Sequence, residues 1–132
     1  GAGLLASAAA VRSVIPALTR TSKVFSVGQP NDYPVNSFSL LPEHKVFILR
    51  DHEGVRAVSA VCTHLGCVLK RAENEFHCPC HGSRFDDTGQ VLSGPAPSPL
   101  PWYKMDLSFD GQLQVDMTRR TSSRFVFKIM SP

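Results

Sequence analysis

Cys62-Thr63-His64-Leu65-Gly66-Cys67 and Cys78-Pro79-Cys80-His81-Gly82-Ser83 hold all four cysteines of the chain and two of its five histidines. The first segment reads C-x-H-x-x-C and the second C-x-C-H. Cys62 and His64 sit two apart, so an extended loop can aim both to one side, and Cys78 and His81, three apart, are expected to be presented together by the other loop. Thiolates and neutral imidazoles are ligands for iron and zinc. Two of each drawn from two loops make a complete set, with two cysteines to spare. So many cysteines in so short a stretch mean metal, disulfide, or both.

The flanks of these segments read as strands. Val46-Phe47-Ile48-Leu49 is an apolar run suited to a strand buried on both faces. Asp51-His52-Glu53-Gly54 turns the chain, and Val55 to Val61 returns as a β-branched strand that delivers it into Cys62. Val68-Leu69-Lys70, a turn at Glu73-Asn74, and Glu75-Phe76-His77 form a second hairpin with the two motifs at its ends. Arg84-Phe85-Asp86 is strand-like. Residues 93–101 hold four prolines and are expected as a stiff, extended loop. Tyr103, Met105, Leu107 and Phe109 alternate with polar residues. After the Asp110-Gly111 turn Leu113, Val115 and Met117 do the same, a clear hairpin. Phe125 to Met130 fits a last strand or an interface tail.

With 132 residues, one domain with its own core is expected. A composition 42% hydrophobic and 19% charged is that of a soluble globular body. The net charge of +3 and the lack of a basic block argue against nucleic acid as a partner. Ten prolines and nine glycines suit a loop-rich β fold.

The paired motifs C-T-H-L-G-C and C-P-C-H-G-S resemble the Rieske iron–sulfur proteins, in which two Cys hold one iron of a 2Fe–2S cluster and two His the other. The likeness is to the disulfide-containing branch that serves cytochrome bc-type quinol-oxidising complexes. It spans residues 23 to about 117 in layout and is most specific over 62–67 and 78–83. It implies an all-β fold: an antiparallel β-sandwich over 23–132 with a small cluster-binding subdomain, one 2Fe–2S cluster, and a proline-rich covering loop at 94–101. Cys62 and Cys78 would hold the inner iron, His64 and His81 the outer. Cys67 and Cys80 would form a disulfide joining the loops. Such a bridge closes a loop of about 14 residues, worth roughly 3 kcal/mol in the chain-entropy model. It also implies an oxidising compartment.

The resemblance implies outer roles too. Ser83 would hydrogen-bond a bridging sulfide. Leu65 and Gly66 would sit at an apolar docking tip, and Pro95 in the covering loop. A tyrosine common at the next strand position is Phe85 here, which lacks the hydroxyl. The expectation is a lower midpoint potential, suited to a low-potential quinol such as menaquinol; plain core packing is the alternative for Phe85. Electron and proton uptake would be linked through His64 and His81, the residues expected to contact quinol, so that the midpoint falls with rising pH. His44, His52 and His77 lack partners at ligand spacing, and Trp102 reads as packing.

The implied function is one-electron transfer, from quinol at a cytochrome b-type subunit to a c-type cytochrome or equivalent acceptor. The chain would be a redox subunit and not an enzyme alone. Its expected place is a bacterial-type energy-transducing membrane, with the head on the periplasmic side. Other readings remain at this point. A soluble Rieske ferredoxin or oxygenase component generally lacks the second Cys pair. The Rieske subunit of a molybdenum oxidase such as arsenite oxidase can keep it. A structural zinc site would leave that pair unexplained.

Residues 1–22 complete the reading. GAGLLASAAA is small and apolar, but Arg12 interrupts it short of the roughly 20 residues a span needs. The chain starts at Gly1, so it is expected to be processed or incomplete there. This stretch is either the truncated end of a membrane-anchor helix followed by a flexible tether, or a plain N-terminal arm.

Overall fold

The computed structural model describes residues 23–129. The expected anchor and tether at 1–22 lie outside the described residues. Among the described residues no helix is long and apolar enough to cross a membrane.

Strands form at the segments read as strands above, and also at 37–41 and 91–93, which the sequence did not mark. They are β1 (Val24–Ser26), β2 (Ser37–Leu41), β3 (Val46–Arg50), β4 (Gly54–Ser59), β5 (Lys70–Ala72), β6 (Glu75–His77), β7 (Arg84–Phe85), β8 (Val91–Ser93), β9 (Trp102–Leu107), β10 (Leu113–Thr121) and β11 (Phe127–Lys128). All pairings are antiparallel. A larger sheet runs β1-β10-β9-β4-β3-β2, with β11 also on β4, and a smaller one runs β5-β6-β7-β8. The all-β sandwich with a small subdomain is therefore observed. Phe127 and Lys128 settle the C-terminal question: they pair with Val55 and Gly54 as a strand.

The β3–β4 hairpin is the wall between two cores. Side chains alternate across a strand, so Val46, Ile48, Val55 and Ala57 face one core with Phe25, Met105, Leu113 and Val115. Phe47 and Val58 face the other, with Leu69, Phe76, Phe85, Leu100 and Trp102. This explains an apolar run with no polar face. Phe47 meets Phe76 across the two sheets, ring centroids 5.4 Å apart. Phe76 and Phe85 are fully buried, each worth roughly 1.5–3 kcal/mol by area removed from water. The smaller sheet is thus anchored on the larger one by its aromatic face, and its hairpin ends are left free to form a site.

One strand begins later than the sequence suggested. Val68 makes only an isolated bridge to Val61, and β5 starts at Lys70. Leu69 pairs on the same side, its amide donating to the Ala60 carbonyl at 2.8 Å, so residues 68–69 pair with the residues just after β4 before β5 turns to β6.

Candidate metal centre

The two Cys/His loops are folded alike. In the first, the Cys62 amide donates to the Cys67 carbonyl at 2.8 Å and the Gly66 amide to the Cys62 carbonyl at 3.0 Å. In the second, the Cys78 amide donates to the Ser83 carbonyl at 2.8 Å and the Gly82 amide to the Cys78 carbonyl at 3.0 Å. The fifth residue of each loop has a positive φ, +82° at Gly66 and +77° at Gly82, which glycine adopts without steric cost. Each turn therefore holds its first residue, Cys62 or Cys78, in the same place relative to its own hairpin end. The loops differ in where the other ligands stand. His is third in one and fourth in the other, and the remaining cysteine is sixth in one and third in the other. That offset lets Cys67 and Cys80 meet.

They meet as a disulfide, Cα atoms 6.5 Å apart and separated by 13 residues. Cys62 and Cys78 are free and buried. The sulfurs of Cys67, Cys78 and Cys80 lie within 4.8 Å of one another, but the bridge leaves only Cys78 of these three able to bind a metal. Burial pushes the Cys78 thiol up. The backbone amides of His81 and Cys80, with the Cys62 side chain, outweigh it and hold the thiol below its usual value. A thiolate, the metal-binding form, is favoured there.

The histidines stand together on the outer side. The rings of His64 and His81 are 5.0 Å apart between centroids and nearly perpendicular. His81 is exposed. Nδ1 of His64 is buried with no hydrogen-bond partner, an orphaned acceptor or donor of the kind a metal ion would satisfy. Paired thiols behind and paired imidazoles in front fit a cluster whose two irons take different ligands.

The proline-rich segment locks onto both loops. The Ala96 amide donates to Oγ of Ser83 at 3.1 Å, and the Thr63 hydroxyl donates to the Ser98 carbonyl at 2.7 Å. Ser83 is fully buried, and with its oxygen occupied by Ala96 its own O–H remains to donate. Gly94 lies so close that a Cβ there would sit 2.5 Å from Cα of Ser83. Phe85 is buried behind the site with Cys62, Cys78, Leu100 and Trp102, and the indole N–H of Trp102 donates to the Thr88 carbonyl at 2.8 Å. Leu65 is 66% exposed, and Gly66 and Pro95 are also exposed. The Arg84 guanidinium makes a two-pronged contact with Glu75, which also meets His77, and so ties β6 to β7 just beyond the second loop. The structure joins Cys67 to Cys80, buries Cys62 and Cys78, and sets the His64 and His81 rings against each other. The sequence gave Thr63 no role, and it placed Gly94 and Ala96 in the covering loop without naming their contacts to Ser83. Thr63 stood inside the motif itself, and Gly94 among prolines, but neither residue type announces a partner distant in sequence.

Fold and site together define a small all-β metalloprotein whose centre is held between two disulfide-linked loops at one end of a hairpin. The chain belongs to the Rieske [2Fe–2S] domain family, whose model matches residues 23–104. It accordingly binds one Rieske-type 2Fe–2S cluster. Among similar proteins is the cytochrome b6-f complex iron-sulfur subunit of Chlorobaculum thiosulfatiphilum, 37% identical over 106 residues, covering 76% of this chain and 59% of the relative. The subunit of that name from Chlorobaculum tepidum is 34% identical over 113 residues, covering 81% and 62%. The chain thus spans about three fifths of the length of these relatives. The crystal structure of the cyanobacterial plasma membrane Rieske protein PetC3 from Synechocystis is similar at a TM-score of 0.51 and 34% identity, over 69% of this chain and 97% of that one.

Proposed function

We propose that this chain is the electron-carrying iron–sulfur subunit of a cytochrome bc-type complex. It takes an electron and a proton from quinol at a cytochrome b-type subunit, and the electron goes on to a c-type cytochrome or equivalent acceptor. The observation that carries this reading is the Cys67–Cys80 bridge beside the Cys/His site. It belongs to an oxidising compartment and to the disulfide-bearing branch of the family. The names of the relatives support the same complex.

In this reading Cys62 and Cys78 hold the inner iron, and His64 and His81 the outer. The bound cluster supplies a one-electron redox centre whose charge alters the basicity of its imidazole ligands. Phe85, Leu100 and Trp102 keep water from the thiolate side. His81 presents its ring to solvent, where a nitrogen can bond a quinol oxygen and hold or release a proton. Leu65, Gly66 and Pro95 offer an apolar rim to the docking partner. Residues 1–22 serve as the end of a membrane anchor and a tether, with the head on the periplasmic side, and residues 23–132 form the moving domain.

Purification of the full-length protein from its native membrane tests this. The expected outcome is copurification with haem b and quinol-dependent reduction of a c-type cytochrome, lost in His81→Ala. Copurification with a molybdopterin subunit, or recovery as a soluble partner of an oxygenase, would overturn it. The midpoint potential should also fall as pH rises on the alkaline side, since protons leave with the electron. A flat profile would count against exposed histidine ligands.

A further inference from the structure

The junction of the two sheets, at the turn end of the β5–β6 hairpin and therefore away from the Cys/His loops, contains a cleft of about 410 Å³. Arg50, at the end of β3, and Arg71, in β5, both line it. Nε and Nη1 of each are buried and have no hydrogen-bond partner. Nor does either guanidinium donate any hydrogen bond among the described residues. Arg71 lies over the Phe76 ring at 4.6 Å and near the Phe38 ring at 5.9 Å. Both aromatic rings thus pack against its guanidinium. Burial pushes the Arg71 guanidinium down from its ordinary value, and Asp87 acts the other way.

The acids of the cleft do not answer this need. Asp51 is committed: its Oδ2 accepts from Arg56 at 2.6 Å, and its Oδ1 accepts from the amides of Glu53 and Gly54. Asp87 and Glu73 are exposed and make no ion pair with either arginine by distance. Two half-buried guanidinium groups without acceptors are costly, because a desolvated donor needs a partner. The ligand that suits two such forks is a tetrahedral oxyanion, which presents several acceptor oxygens at once.

We propose that Arg50 and Arg71 form a binding site for a phosphate-class oxyanion that links the cluster-binding sheet to the larger sheet. The polar residues Asn36, Ser37 and Asn74 line the same cleft and supply neutral hydrogen-bonding groups around it. A free phosphate and the headgroup of an anionic phospholipid share this chemistry.

Calorimetric titration of the cluster-loaded chain with inorganic phosphate, at ionic strength held constant with chloride, tests the site. Saturable binding is expected, weakened roughly tenfold or more in Arg50→Gln and in Arg71→Gln. Arg50→Lys should recover part of it, because a lysine keeps the charge but not the fork. Lys23→Gln, which removes a charge elsewhere, should leave it unchanged. The visible spectrum of the cluster reports whether each variant is folded. Should Arg71→Gln fail to fold, the Arg50 pair decides alone. Sedimentation with phosphatidylglycerol vesicles, against phosphatidylcholine, separates the sources. Retention lost in the Arg50 variant assigns a lipid headgroup, and phosphate binding without retention assigns the free ion. No saturable phosphate binding by the wild type, or equal binding by wild type and Arg50→Gln, would overturn the proposal.

Discussion

Oγ of Ser83 accepts a hydrogen bond from the Ala96 amide at 3.1 Å, so one side chain joins the second Cys/His loop to the proline-rich loop. The oxygen accepts from Ala96, and the hydroxyl keeps its own proton to donate, with the cluster as the expected acceptor. Ser83→Ala should therefore have two effects. Leaving the buried Ala96 amide unpaired costs about 1–3 kcal/mol. Losing a donor that favours the reduced cluster lowers the midpoint on the order of tens of millivolts. Denaturant unfolding and redox titration of the same sample check both. A drop in stability with an unchanged potential would mean that the hydroxyl serves only the loop.

Gly94 should prove more demanding than its place among prolines suggests. Its φ is +91°, and an added Cβ would lie 2.5 Å from Cα and 2.9 Å from N of Ser83. Both are backbone atoms, which cannot swing aside. Gly111 has a similar φ of +86° with nothing within 4 Å. Gly111→Ala should thus show only left-handed strain, about 1–2 kcal/mol. Gly94→Ala should cost clearly more and lower the midpoint as Ser83→Ala does, because lifting the loop breaks the Ala96 contact. Thermal unfolding of the two variants side by side makes the comparison, and equal losses would refute it.

What was legible beforehand was the local part. Alternation located the hairpin at 103–117, an apolar run and a turn located the one at 45–61, and the paired motifs marked the two loops of the site. Contacts between segments distant in sequence were not legible. The Thr63–Ser98 bond joins residues 35 apart, and nothing in either residue points to the other. Likewise the sequence singled out nothing at Arg71, and only the packing of Phe76 against it revealed a half-buried guanidinium. Nor was the change of partner at β5 legible: Val68 and Leu69 pair with Val61 and Ala60, and only from Lys70 does the chain pair with β6.

Phe85 is fully buried beside Cys78 and Cys62. Phe85→Tyr would bring a hydroxyl into this group of side chains, where burial obliges it to find an acceptor. If it donates to a cysteine sulfur, the bond of about 1 kcal/mol favours the reduced cluster and raises the midpoint on the order of tens of millivolts. Redox titration reads this directly. No upward shift would reduce Phe85 to a packing residue, and a loss of stability alone would show that the hydroxyl found no partner.

Acid sensitivity should trace partly to Asp86. Burial raises its carboxyl, but the Thr88 hydroxyl at 2.7 Å and the Gln90 and Thr88 amides, each at 2.9 Å, outweigh it and hold the group below the usual carboxylate range. A carboxylate depressed in the folded state stabilises the fold above its unfolded value, about 3.9 for Asp. That contribution is lost as pH falls through the lower folded value. Denaturant midpoints of Asp86→Asn should therefore lie below wild type at neutral pH and decline less on acidification, with Asp51 and Asp116 supplying the residual slope. Parallel pH profiles would remove Asp86 from the account.

The Cys67–Cys80 bridge should matter more to the loops than to the fold. The two cores are filled by Phe47, Phe76, Ile48 and Met105 without it, and each loop keeps its own pair of backbone hydrogen bonds. What the bridge adds is a restraint between the loops over a separation of 13 residues, roughly 2–5 kcal/mol for a native disulfide in a small domain. The double variant Cys67→Ser/Cys80→Ser should lower global stability within that range. It should leave amide exchange in β3 and β4 limited by global unfolding, while protection at Gly66 and Gly82 falls much further. Their bonds to Cys62 and Cys78 then open whenever the loops part, and the cluster should be lost faster to a chelator. Cys80 is exposed, so treating the wild type with a thiol reductant should reproduce both effects. Cluster loss unchanged by reduction would mean that the burial of Cys62 and Cys78, not the bridge, holds the loops together.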